Sequence, residues 1–421
     1  MSSTSTLPAL AAAVDKLRDP RTIRARCAAI HREVAAGRSS WFTLAGDDRL
    51  NAAAERVVRV TRERYPTLEI PYHSRWRHFE AGGIDRSCEL SHGLARFDAA
   101  EQARSRIDLA MVSVLLDAGA GAAWKFVETE SGATFARSEG LAVASLRAFE
   151  RGVFSSDPAR PLQVDGRALA AIDASALAHV FQVSAGNPLV GLEGRAAVLR
   201  RLGAALIARP QTFGTAARPG FLFDLLTRNG GRHEVAAASI LRALLDHCSS
   251  IWLTANRLGD EPLGDVWPHT AAREHGRADA ADLSAGWVPF HKLSQWLAYS
   301  LFEPFEWAGV KVIERDALTA LPEYRNGGLL LDTGVVVPRD PGSLRTTWRA
   351  GDPPIVEWRA LTVALIDDLA VRVRAALQRT AAEMPLACVL EGGTWAAGRA
   401  LAQELRGGLP PLDIESDGTV F

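Results

Sequence analysis

Apolar residues recur every three or four positions in the first part of the chain. Leu10, Val14 and Leu17 share one face, as do Ile23, Cys27, Ile30 and Val34, and again Leu50, Ala53, Ala54 and Val57. A helix completes a turn in about 3.6 residues, so this spacing predicts amphipathic helices over Leu10–Leu17, Arg21–Ala36 and Arg49–Tyr65. The same period returns from an N-capping Asp98 to Asp117 and from a start near Ser138, with Glu139 in the first turn. It recurs over 169–183, 193–208, 221–227, 235–248, 356–378 and 394–405. Between them, GAGAAWKFVETESGATFARSEG is polar and punctuated by glycines, which suits a hairpin-like excursion. Residues 256–288, with four glycines and the sequence GDVWPH, read as a long ordered surface loop. KVIER and GGLLLDTGVVVP carry the most convincing strand pattern and predict a small β-hairpin between 310 and 337. The expected fold is mostly α: one helical domain over 1–421, with an N-terminal lobe over about 1–160 and a C-terminal lobe over about 161–421.

Charge narrows the range of ligands. The chain holds 48 basic and 49 acidic residues, for a net charge of -1, so no surplus positive potential draws it to nucleic acid or an anionic membrane. A charged ligand must be met by a local cluster. No run of eighteen apolar residues offers a transmembrane span. The N-terminal apolar stretch lacks a basic leader and runs straight into Asp15, Lys16 and Arg18, unlike a signal peptide. Cys27, Cys88, Cys248 and Cys388 are scattered without CxxC spacing, so reduced thiols in a cytoplasmic protein are expected. Only four of the basic residues are lysines, and two of these, Lys125 and Lys292, stand in aromatic motifs.

Familiar catalytic signatures are missing. There is no GxGxxG, no GxxxxGK[ST], no GxSxG, and neither HxxxH nor HExxH among the ten histidines. Neither a nucleotide cofactor nor a metal is therefore expected. His73 and His78 lie in PYHSRWRHFEAGG, a loop rich in recognition groups. What remains is a set of carboxylates in aromatic and basic surroundings. Asp332 interrupts the apolar run LLLDTGVV, where an acid must be paired, capping a turn or chemically active. Glu303 and Glu306 flank Pro304, which should kink or end the helix that begins near Phe290 and carries His291 and Lys292. Glu323, Tyr324 and Arg325 precede a double glycine, while Trp124, Lys125, Arg137 and Glu139 form a further patch.

Four segments, WKFVETESGATFARSEGLAVASLRAF, NPLVGLEGRAAVLRRLG, PFHKLSQWLAYSLFEPFEWAG and LTALPEYRNGGLLLDTGV, resemble the uracil-catabolism family of the URC pathway, over essentially all of residues 1–421. The resemblance implies a pathway that converts uracil to a nucleotide, opens the ring and releases urea. That route passes through a ribosylurea-type intermediate whose C1′–N bond must be cut. His291–Glu306 and the 310–336 segment are also similar to the queuosine-nucleotide salvage hydrolases, which are helical N-glycosidases. Where those enzymes carry an Asp-Tyr-Arg run, this chain reads Ser300-Leu301-Phe302-Glu303, so Glu303 is the nearest carboxylate. The expected activity is hydrolysis of ribosylurea or its 5′-phosphate. Asp332 and Glu303 are the expected catalytic carboxylates, because an oxocarbenium-like transition state needs negative charge nearby and a base for water. Tyr324 or His291 would protonate the leaving urea, and Lys125, Lys292, Arg137 or Arg325 would hold a phosphate, with Trp124, Glu139 and Glu323 completing the substrate site. Two alternatives stay open: an amidohydrolase acting on an open-ring ureido intermediate, and a non-catalytic binding protein of the same pathway.

Overall fold

The fold starts from well-capped helices. Asp19 accepts a hydrogen bond from the Arg21 amide and Pro20 opens the helix Pro20–Ala35, whose Ile23, Cys27, Ile30 and Val34 are buried as the periodicity requires. In the computed structural model, which describes residues 6–254, 256–273 and 282–415, this helix and Asp47–Arg64 pack on the 25-residue helix Pro353–Leu377. Asp98 caps Ala99–Leu115 through the Glu101 amide, and that helix packs against Arg137–Glu150. The expected excursion after Trp124 is a hairpin, with Lys125–Val127 antiparallel to Thr134–Ala136. Residues 169–183 split at Asp173, which caps a separate helix Ala174–Val180 through the Ala176 amide. The chain is mostly helical, and its described strands are only two or three residues long. No helix among the described residues is long and apolar enough to cross a membrane.

The hairpin expected between 310 and 337 does not form. Lys311–Ile313 pairs in parallel with Glu234–Ala236, and Val336–Pro338 pairs antiparallel with Phe42–Leu44. The segment between them, YRNGGLLLD, is the helix Tyr324–Asp332. Glu323 caps it, accepting hydrogen bonds from the amides of Arg325 at 2.7 Å and Asn326 at 2.6 Å. A short apolar run between turn residues is ambiguous between strand and buried helix, and here the cap decides it. Glycine here serves close packing. A Cβ on Gly327 would lie 2.4 Å from the Trp358 ring, and one on Gly398 of the facing helix Trp395–Arg406 would lie 2.1 Å from the Arg325 carbonyl oxygen. Of the kink or end expected at Pro304, the end does not occur: the helix Lys292–Trp307 continues through it.

Contacts divide the chain into two units. The first takes the described residues up to His73, those between 256 and 295, and 315–415; the second takes 74–254 and 296–314. Lys292, Glu323 and Asp332 belong to the first, and Trp124, Arg137 and Glu303 to the second.

Candidate functional site

In the first unit, a buried polar centre is built on the loop residue Asp265. Its backbone carbonyl accepts hydrogen bonds from the amides of Phe290 and His291 at 3.0 and 3.2 Å, and its Oδ2 accepts the Lys292 amide at 2.9 Å. One acid thereby fixes the start of the helix Lys292–Trp307, where His291 takes a positive φ of 48°. Arg359, wholly buried on Pro353–Leu377, donates to both Asp265 oxygens at 2.8 Å, lies over the Phe290 ring at 4.1 Å, and reaches the Pro322 carbonyl at 3.4 Å. The Trp267 indole adds a fourth donor at 2.7 Å. Burial opposes the charge on Asp265, but Arg359 and the other donors outweigh it and hold the carboxyl down at about 2.

Glu323 follows directly on Pro322. Burial raises its carboxyl above the ordinary range; the amides of Arg325 and Asn326 and the charges of Lys292 and Arg325 oppose that rise without cancelling it. Glutamate is not a favoured N-cap residue, since the shorter Asp, Asn, Ser and Thr close the same ring with less chain to order. Two neighbouring polar atoms are buried without a partner, Arg325 Nε and Asn326 Oδ1. Buried donors and acceptors are rarely left so. A carboxyl that keeps its proton to higher pH can act as an acid, and Lys292 beside it supplies fixed positive charge.

The other expected residues of this unit have structural partners. His291 is buried, its Nε2 lies 3.0 Å from the Leu17 carbonyl, and burial lowers its basicity. Tyr324 is 40% exposed, with the Arg325 guanidinium 4.5 Å from its ring centre. Asp332 ends the Glu323 helix, and Arg406 grips both its oxygens at 2.9 and 2.6 Å. In the second unit, Glu303 accepts hydrogen bonds from Ser74 Oγ at 2.5 Å and Arg77 Nη2 at 2.6 Å, and burial raises its carboxyl. Trp124 is a core residue whose indole donates to the Phe181 carbonyl at 2.9 Å. Lys125 is exposed on its strand, and Arg137 is exposed at a φ of 54°. Glu139 is half-buried, and its charge acts on Arg75. Among the described residues no three His, Cys, Asp or Glu side chains are grouped to hold a metal ion.

Asp265, Arg359 and Asn326 are absent from the sequence-based set. Arg359 was the detectable one, as a cation within the apolar run IVEWRALTVALI, where an unpaired charge could not be buried.

The family model for proteins of unknown function DUF1688 matches residues 16–421. The chain belongs to the DUF1688 family. Over 384 residues it is 41% identical to "Protein urg3" of Schizosaccharomyces pombe, covering 89% of this chain and 90% of that protein. Over 379 residues it is 40% identical to "Uracil catabolism protein 4" of Lachancea kluyveri, covering 84% and 85% respectively. The EYRNGG motif of this DUF1688 chain, Glu323–Gly328, lies within the matched span.

Proposed function

We propose that this chain works in uracil catabolism as a hydrolase that cuts the C1′–N bond of ribosylurea or its 5′-phosphate and releases urea. Membership of a family with a relative named for uracil catabolism supports the pathway, and the mostly helical fold accords with the helical N-glycosidases that the motifs resemble. The observation that carries the chemistry is the Glu323 centre: a carboxyl raised by burial, next to Lys292 and to unpartnered Arg325 Nε and Asn326 Oδ1. Urea leaves poorly as an anion, so a protonated Glu323 placed to donate to the departing nitrogen removes the main obstacle. Arg325 Nε can donate to a ureido or ribose oxygen, Asn326 Oδ1 can accept from a ureido N–H or a ribose hydroxyl, and Lys292 can hold a phosphate.

Incubation of the purified protein with ribosylurea and with its 5′-phosphate, assayed for urea and reducing sugar in equal amounts, tests this reading. Ammonia without free sugar would identify cleavage within the ureido group instead. Saturable binding of either compound with no product would identify a binding protein.

A further inference from the structure

Outside the Glu323 centre, the loop histidine His73 has a partner that the sequence did not suggest. Leu390–Thr394, with the sequence LEGGT, winds as a single wider π turn ahead of the helix Trp395–Arg406. Such turns cluster at functional sites because they re-aim a side chain at the cost of regular hydrogen bonding. The glycines permit it: a Cβ on Gly393 would fall 2.5 Å from Thr61 Oγ1 and 2.7 Å from the Val57 carbonyl. The side chain presented is Glu391, 8% exposed. Its Oε2 lies 2.8 Å from His73 Nδ1, and its Oε1 accepts from Arg64 Nη2 at 2.9 Å and the Tyr65 hydroxyl at 3.1 Å. Burial opposes the charge, but His73 and Arg64 hold the Glu391 carboxyl down at about 2, so it is ionised at neutral pH.

An ionised acceptor opposite Nδ1 puts the neutral ring's proton on Nδ1 and leaves the lone pair on Nε2. Nε2 makes no hydrogen bond among the described residues. The His73 backbone is anchored by its amide donating to the Ala387 carbonyl at 3.0 Å, and the Trp395 ring centre lies 6.2 Å from the imidazole. The π turn and the helix after it both pack on the Glu323 helix. Thr394 Oγ1, in the turn itself, is likewise buried without a partner.

We propose that His73 is the general base of the hydrolysis and Glu391 the positioning residue that fixes its tautomer; this rests on the N-glycosidase reading above. The water oxygen bonds to C1′ while its proton passes to His73 Nε2. The C1′–N bond breaks with its electron pair going to the urea nitrogen, which takes the proton of Glu323. The two proton transfers leave a ribose hydroxyl and neutral urea, and exchange with solvent resets both side chains.

The test is steady-state urea release by the full chain carrying His73→Asn, His73→Ala or Glu391→Gln. Asn keeps an amide N–H where Nδ1–H stands and so preserves the hydrogen bond to Glu391, but it lacks Nε2. His73→Asn should lower kcat about a hundredfold or more with KM nearly unchanged, and added imidazole should restore part of the activity lost in His73→Ala. Glu391→Gln should shift the acid limb of the kcat/KM profile, which a purely structural carboxylate would not. A His73→Asn enzyme with parental kcat, or activity lost together with melting temperature and beyond rescue by imidazole, would overturn the assignment while leaving the reaction standing. Absence of urea release from the parent protein would overturn the reaction itself, and the base with it.

Discussion

The indole Nε1 of Trp76 donates to the backbone carbonyl of Ser300 at 2.9 Å, and that carbonyl is the one Pro304 deprives of its helical donor. The hydroxyl of Ser300 accepts the Arg75 amide at 2.9 Å, and Ser74 and Arg77 both reach Glu303. A proline within a helix thus becomes the attachment point for the run Ser74–Arg77. Ser74 stands at the N-cap of the short helix Arg75–Phe79 but gives no side-chain cap; its hydroxyl is turned to Glu303, to which it donates.

Trp76→Phe should therefore cost about 1–3 kcal/mol, the penalty of leaving a buried carbonyl unpaired together with the lost indole volume. Adding Pro304→Ala restores an amide donor to Ser300 and should recover part of that loss. Denaturant unfolding of both single variants and the double variant reads the coupling directly; strictly additive effects would mean that the two residues do not share this carbonyl.

Glu323→Gln keeps an oxygen for the helix cap but cannot give up a proton, so kcat for urea release should fall about a hundredfold or more with a small change in melting temperature. Glu323→Asp keeps both the acid and a better cap, and should lose activity only through the misplaced carboxyl. Equal rates for the parent and the Gln variant would remove Glu323 from the chemistry.

Lys292→Met should move the pH profile in a defined direction. Lys292 favours the ionised form of Glu323, so its removal raises the Glu323 carboxyl further and keeps it protonated to higher pH. The alkaline limb of the kcat profile should shift upward. In the same variant KM for a phosphorylated substrate should rise far more than KM for the nucleoside, since a charge-assisted hydrogen bond is worth about 1.5–3 kcal/mol.

Asp332→Asn separates tethering from chemistry. With Arg406 on both oxygens, the substitution should cost about 1–3 kcal/mol of stability and leave turnover within a few-fold. A hundredfold fall in turnover at an unchanged melting temperature would place the catalytic carboxylate at Asp332 instead.

Acid should expose the Asp265–Arg359 pair. The Asp265 carboxyl lies at about 2 in the folded chain, against an ordinary 3.8, so its stabilisation is complete above pH 3.8 and is lost as pH falls toward 2. The shift corresponds to about 2 kcal/mol at 1.36 kcal/mol per pH unit. Asp265→Asn should be markedly less stable at pH 7, because Arg359 is left buried and unpaired, and its stability should fall less steeply between pH 4 and 2. Melting temperatures across that range for both proteins decide it.

Much of the helical scaffold was legible from local chemistry alone. Asp98 before an apolar period, Asp19-Pro20, and Ile23, Cys27, Ile30 and Val34 on one face each specify a helix through contacts within a few residues, and all of them form as the pattern requires. The EYRN motif was legible as a functional candidate because an acid, an aromatic and a cation preceding glycines suit no simple packing role. The secondary structure of LLLDTGVV was not legible, since an apolar run has no period of its own; the Glu323 cap and the close approach of Gly327 and Gly398 to Trp358 and the Arg325 backbone make LLLD the end of a helix, and a turn at Thr333-Gly334 leads into the strand Val336–Pro338. Partners were equally hidden. Asp332 and Arg406 are 74 residues apart, Asp265 and Arg359 are 94 apart, and His73 and Glu391 are 318 apart. Sequence determines which side chains can carry charge or a proton, because that is a property of the residue. Only the tertiary structure decides which carboxyl is satisfied by an arginine and which is left raised by burial, because solvation and neighbouring charge are properties of the packed site.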